Sequence, residues 1–269
     1  MIKKRKTVGL ALGSGGPRGL THIGVIQALL ENNIPIDFIA GTSIGALIGA
    51  HYALHRDMDK LISDIGGDKK DKLKILLEPT LRGGLFSGAK VEQILKGWFG
   101  KKNFSDLTVP LQIVATDLIK AEQVIFWQGN LVTAIRASMA IPGLFKPVEW
   151  EDKVLVDGGL VNPVPDDVVR AMGAEVVISV NLDNDKNNVF TKNDLTLSRI
   201  ARRSLEVIRQ YLSQYSLKNS DFIIEPPLRY LGGINIPKFF LKEISEKIIA
   251  CGRQEALKMI PQIKKTINP

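Results

Sequence analysis

Within its first 55 residues the chain twice passes from an apolar run through small residues into a helical pattern. No other feature constrains the fold as much. "TVGLAL" (7–12) ends at "GSGGPRG" and is followed by "LTHIGVIQALLEN", where Ile23, Ile26, Ala28, Leu29 and Leu30 take the apolar positions of a helix. "IPIDFIA" (34–40) then leads through "GTSIG" into the helical "IGALIGAHYALH". Further strands are predicted at 109–118, 122–128, 153–159 and 175–182, with helices at 131–140, ending before Pro142, and at 165–172. The segment 57–105 is more polar, with short helical patterns broken by glycine pairs at 66–67 and 83–84. Strands alternating with helices predict an α/β fold around a largely parallel central sheet.

The 269 residues are read as one domain, with a core at about 7–182, a polar connection at 183–194 ("DNDKNNVFTKND") and a helical covering region at 195–269. No apolar run reaches the roughly 18 residues that a membrane span needs. The basic start "MIKKRK" followed by Val8–Leu12 imitates a signal peptide, but the apolar part is too short and runs into a glycine loop. With Cys251 as the single cysteine, this predicts a cytoplasmic protein. The net charge of +8 is unevenly spread. Residues 1–185 hold 21 basic and 21 acidic side chains, and residues 186–269 hold 15 and 7. A basic region of this kind is either a solvated face or a surface for polyanions such as the anionic inner face of a membrane. Nucleic acid fits poorly, because aromatic interleaving and a recognisable binding module are absent.

Two amphipathic helices are expected in that region. In 198–215 an apolar stripe of Ile200, Val207, Ile208, Tyr211, Leu212 and Tyr215 opposes Arg199, Arg202, Arg203 and Arg209. In 241–260, Leu241, Ile244, Ile248, Ile249, Ala256, Leu257 and Ile260 recur at helical spacing. Both are read as helices that cover the sheet with their apolar side, with membrane docking as the alternative.

Chemistry concentrates at the two early junctions. Ser43 stands between Gly41 and Gly45, the G-x-S-x-G spacing of a nucleophile elbow, where the turn leaves no room for side chains at either glycine. Composition alone would produce this pattern on the order of 0.1 times in such a chain. The alternative is a serine that merely caps a helix. The loop "LGSGGPRG" (12–19) fits neither a dinucleotide fingerprint, since Arg18 and Pro17 fall where glycines belong, nor a P-loop, since G-K-[ST] is missing. It does suit an oxyanion hole, with donors at Gly15, Gly16 and Arg18, because Pro17 has no N–H. The usual base of such an elbow, a late histidine, is missing. His22, His51 and His55 all precede residue 56. The pair His51 and His55 has zincin-like spacing, but Tyr52 replaces the glutamate, so two packed histidines are expected and no metal or cofactor is assigned. His22 is read as a packing or supporting group. Asp157, ending "VLVD" before Gly158 and Gly159, is the candidate base, against the alternative of a turn-capping aspartate.

"LGSGGPRGLTHIGV", "GTSIG" and "VDGGLVNPVP", with "GLFSG" (84–88), "ATDL" (115–118) and "AIRASMAIPGLFKPV" (134–148), resemble the patatin-like phospholipase family, in particular its small bacterial members. The resemblance runs from about Thr7 to Leu182. It implies a three-layer sandwich with a Ser–Asp dyad. Ser43 would be nucleophile, Asp157 base, and the Gly15–Gly16 loop the oxyanion hole. Ser14 departs from the family, standing where many members have another glycine. The implied substrate is a phospholipid, lysophospholipid or other acyl ester, and Leu76, Leu77, Leu85, Phe86, Trp98 and Phe99 are candidates to line an acyl groove or simply to pack. The competing reading is a scaffold of the same fold that acts by binding.

Overall fold

The computed structural model describes residues 5–66, 87–184, 191, 195–228 and 241–268. Among them, eight strands join one sheet: β1 (Val8–Leu12), β2 (Phe38–Thr42), β3 (Leu111–Asp117), β4 (Glu122–Phe126), β5 (Val148–Trp150), β6 (Lys153–Asp157), β7 (Val176–Val180) and β8 (Phe222–Ile224). The helices are α1 (Leu20–Glu31), α2 (Ile44–His55), α3 (Met58–Leu61), α4 (Ala89–Phe99), α5 (Leu131–Ser138), α6 (Asp166–Ala171), α7 (Leu197–Tyr215) and α8 (Lys242–Ile267). The path through the sheet is β5, β6, β3, β2, β1, β7, β8, with β4 also paired to β3. The pairs β1–β2, β1–β7, β2–β3 and β7–β8 are parallel, and the antiparallel pairs gather around β3 and β6.

Every residue of β1 is buried, as expected for a central strand covered on both faces. Its alternation sorts the two layers. Leu10 and Leu12 face the larger core with Ile23, Ile26, Ile48 and Ile248, whereas Ala11 faces a smaller cluster containing Val168, Val169 and Val177.

The ladders around β3 place the chemistry. One edge of β3 is taken by β4, from Ile113 opposite Phe126 to Asp117 opposite Glu122. The other edge is shared. β2 occupies it up to Thr42 opposite Val114, and β6, running the other way, takes it from Ala115 opposite Asp157 onward. The C-terminal ends of β2 and β6 therefore meet head to head on adjacent positions of one strand.

The two C-terminal helices behave oppositely. α8 covers the core as expected, burying Ile248, Ile249, Ala256 and Ile260. It also runs past Pro261 to Ile267, burying Ile263 and Ile267. That burial offsets the hydrogen bond that an interior proline removes. Helix α7 contradicts the expectation. Its apolar stripe points outward, with Ile208, Tyr211 and Tyr215 60%, 66% and 67% exposed, and its polar side turns inward, burying Ser213. The physical reason is an ion pair. Arg209 grips Asp183 with Nε 2.9 Å from both carboxylate oxygens and Nη2 2.7 Å from Oδ1. Asp183, expected in the polar connection, is instead 6% exposed. Residues 185–190 and 192–194 of that connection lie outside the described residues, as do Leu76, Leu77, Leu85 and Phe86. Phe99 is buried in the main core and Trp98 packs against it, so these two serve packing.

α8 crosses α1 at two glycines. A Cβ on Gly24 would lie 1.9 Å from the Ile249 carbonyl oxygen, and one on Gly252 would lie 2.1 Å from that of Thr21. Neither backbone can retreat without unpacking the core. Gly24→Ala is expected to lower stability by about 1–3 kcal/mol or more. Gly97→Ala, in α4 with nothing within 4 Å of the added carbon, should raise it by about 0.5–1 kcal/mol. Urea midpoints of the two variants that move in the same direction would contradict this account of the crossing.

Candidate active site

The elbow is built as its sequence predicts. A Cβ on Gly45 would sit 2.1 Å from the Leu12 carbonyl oxygen, and one on Gly41 would sit 2.7 Å from Ala46 Cα, so any side chain at either position would force the turn apart. Ser43 between them has φ 56° and ψ −121°, a conformation that costs a non-glycine residue of order 1–3 kcal/mol. The surroundings hold it there. Its N–H donates to Ser138 Oγ at 2.8 Å, and the Ser138 hydroxyl donates to the Val114 carbonyl at 2.6 Å. The last residue of α5 thus ties the strained turn to β3. Next to it, the Thr42 hydroxyl donates to the Asn162 carbonyl at 2.9 Å.

The meeting of β2 and β6 brings Ser43 and Asp157 into contact across 114 positions of sequence. Ser43 Oγ donates to Asp157 Oδ2 at 2.6 Å. The second oxygen, Oδ1, accepts from the Gly159 N–H at 2.8 Å. The aspartate backbone is fixed as well, its N–H donating to the Ala140 carbonyl at 3.0 Å and its own carbonyl accepting from the Thr116 hydroxyl at 2.9 Å. Gly158 allows the following turn to lie flush on β3, since a Cβ there would be 2.3 Å from the Val114 carbonyl oxygen. The turn-capping role and the contact with Ser43 are therefore both present, one on each oxygen. Burial pushes the Asp157 carboxyl above its ordinary value. The hydrogen bonds from Ser43 and Gly159 and the charge of Arg209 act against that rise without reversing it.

Because β1 and β2 are parallel neighbours, with Leu12 opposite Gly41, the glycine loop and the elbow emerge side by side at the same end of the sheet. In the loop, the N–H groups of Gly13 and Ser14 are spent on the Val180 and Pro163 carbonyls, at 3.1 and 2.8 Å. No hydrogen bond takes those of Gly15 and Gly16 among the described residues. Gly16 has φ +56°, in the region that favours glycine. Arg18 lies in the short 3-10 turn that follows, its Nε donating to the Gly15 carbonyl at 3.2 Å and its Nη2 to Asp183 at 3.2 Å. His22 supports the loop from beneath. It is fully buried, its Nε2 is 2.8 Å from the Gly13 carbonyl oxygen, and burial pushes its pKa down to about 4, so it stays neutral and donates. His51 and His55 pack with ring centroids 4.7 Å apart, and His51 Nε2 is 3.0 Å from Asp64 Oδ2.

Three residues near the elbow were missed in the sequence. Ser138 looks like any helical serine. Asp183 and Arg209 lie in stretches read as connection and solvated face. Gly159 packs against both the loop and α7, since a Cβ there would meet Ser14 Oγ at 3.1 Å and Arg209 Cδ at 3.3 Å. A groove lined by Phe104, Pro110, Leu111, Gln112 and Trp127 lies at the other end of β3 and contains none of the residues considered above.

Comparison with known proteins identifies the family. An uncharacterized NTE family protein of Mycobacterium tuberculosis is 38% identical over 180 residues, 66% of this chain and 50% of that protein. The mouse patatin-like phospholipase domain-containing protein 6 is 34% identical over 196 residues, 70% of this chain and 14% of that one. The chain thus spans half or less of the length of these relatives. In fold it is similar to VipD from Legionella pneumophila, with a TM-score of 0.63 at 12% identity, covering 97% of this chain and 67% of that one. The patatin-like phospholipase family profile matches residues 10–169, which include the glycine loop, the serine elbow and Asp157. The chain belongs to the patatin-like phospholipase family.

Proposed function

We propose that the protein is a serine hydrolase of acyl esters in lipids, phospholipids or lysophospholipids, working through Ser43 and Asp157 without a histidine. The single observation that carries this reading is the 2.6 Å hydrogen bond from a strained, buried serine to a buried aspartate. In the first half-reaction, Asp157 Oδ2 takes the Ser43 hydroxyl proton as Oγ attacks the ester carbonyl carbon. The Gly15 and Gly16 N–H groups face the oxyanion, typically worth about 3 kcal/mol for each donor. Collapse of the intermediate breaks the ester C–O bond, and the alcohol or lysolipid leaves with the proton from Asp157. In the second half-reaction, Asp157 takes a proton from water, whose oxygen attacks the acyl-serine, and the fatty acid departs as the proton returns to Ser43. A solvated aspartate, with pKa about 3.9, would be a weak base for a hydroxyl; burial makes this one stronger. The reading places the enzyme in the cytoplasm, drawn peripherally to an anionic membrane face by its basic C-terminal third. Among the described residues no helix is long and apolar enough to cross a membrane.

A fluorophosphonate probe is expected to label the parent protein and not Ser43→Ala. The same substitution should lower ester hydrolysis by about 10⁴-fold with folding intact. Well-folded parent that neither takes the label nor releases fatty acid would instead favour the scaffold reading. Catalysis needs ionised Asp157, so kcat/KM should fall on the acid side with a midpoint above the ordinary carboxylate range. Stability runs the other way. A carboxyl raised by folding binds its proton more tightly in the native state, so its contribution is complete below the unfolded pKa and is lost as pH rises through the folded one. Asp157→Asn, which can keep both side-chain contacts, should therefore be inactive yet more stable than the parent at neutral pH. Melting curves across pH test this: the advantage should shrink as pH falls into the carboxylate range.

A further inference from the structure

Helix α7 presents a surface whose chemistry is out of place on a globular protein. Leu197, Ile200, Val207, Ile208, Tyr211 and Tyr215 form a continuous outward strip. At 1.5 Å per residue it is about 27 Å long. Each is at least 37% exposed, and Leu197 reaches 86%. Scattered apolar residues on a surface need no explanation, but a contiguous strip of this size marks an interaction site. The opposite side of the helix holds Arg209, fixed to Asp183, and the buried Ser213. The helix is thus attached to the body by an ion pair on its polar side, which leaves its apolar side outward. Arg209, on the inward side, lies beside the turn after Asp157, where a Cβ on Gly159 would be 3.3 Å from its Cδ, so the helix that carries the strip passes close to the Asp157 end of the site.

We propose that α7 is an interfacial helix, and that its exposed strip docks on the surface of an anionic lipid bilayer. Charge complementarity selects this occupant. The helix carries four arginines against one glutamate, with Arg209 turned inward onto Asp183, within a C-terminal third holding 15 basic and 7 acidic residues. A wide apolar face with aromatic residues, low net hydrophobicity and arginines beside it is the pattern of a helix lying in the headgroup boundary. Tyrosine suits that depth, with its ring in the acyl region and its hydroxyl among the headgroups. Docking would bring the helix beside Asp157, and with it the Ser43 site, to the bilayer surface, a consequence that rests on the hydrolase reading. The contact itself does not depend on catalysis.

The test uses the full chain and the exposed-surface variant Ile208→Glu/Tyr211→Glu, with Ile208→Trp as the opposite change. Three measurements are made: sedimentation with phosphatidylcholine vesicles with and without phosphatidylglycerol, turnover of a soluble short-chain ester, and sedimentation velocity without lipid. The parent is expected to sediment with the phosphatidylglycerol vesicles, the double glutamate variant about tenfold less, and the tryptophan variant more. Soluble-ester turnover should be the same in all three. Equal sedimentation of parent and glutamate variant, or no sedimentation of the parent, overturns the proposal. A parent dimer that the glutamate substitutions dissolve, without lipid binding, overturns it in favour of a second copy of the chain. Expected sedimentation with no turnover of any ester leaves the docking standing and removes the hydrolase reading instead.

Discussion

Two strands that end against each other on one edge of β3 are the constraint from which the site follows. β2 stops at Thr42 opposite Val114, and the next position, Ala115, is already taken by Asp157 of β6. A parallel and an antiparallel neighbour are thus joined tip to tip, and the residues at the tips are Ser43 and Asp157. Loops alone could not hold two side chains at 2.6 Å with comparable definition, because their backbones are not ordered by a ladder. Position here is fixed by strand register. The surrounding hydrogen bonds, donated by Thr116 and Gly159 and accepted by Ser138 and Ala140, then set orientation.

The arrangement is costly to the folded chain in two separate ways. Ser43 holds a backbone conformation that almost any other position would avoid. Asp157 is removed from water beside a hydroxyl donor, and Asp183 nearby adds like charge. Strain and desolvation of this kind concentrate at functional sites, where the rest of the fold over-determines them. Here that support is a central strand buried on both faces and two helices, α1 and α8, pressed together at glycines.

Much of this was legible in the sequence, for identifiable reasons. β1, β2, β3, β4, β6 and β7 announce themselves as apolar runs closed by small or polar residues, and the elbow and glycine loop have spacings that few other structures require. β5 and β8 were missed, because "VEW" and "FII" are three residues each and too short to show a period. The orientation of α7 was not legible either. A periodic stripe gives a helix two sides but does not state which one faces the protein, and the deciding partner, Asp183, lay in the stretch most easily taken for a solvated linker. Ser138 lies in the quoted segment 134–148, but nothing there singles it out, since its role exists only where α5, β3 and the elbow converge.

The shared edge of β3 also governs how this architecture tolerates changes in chain length. Between the end of α2 and β3, and between β4 and the start of α5, the chain carries none of the residues described above as aligning the serine and the aspartate. Insertions or deletions there leave the two tips where they are. A single residue added inside β2 or β6 would reverse the alternation of that strand and turn one of the pair away from the other. Variation between homologues should accordingly accumulate as loops of differing length around a pair of strands whose residue count does not drift.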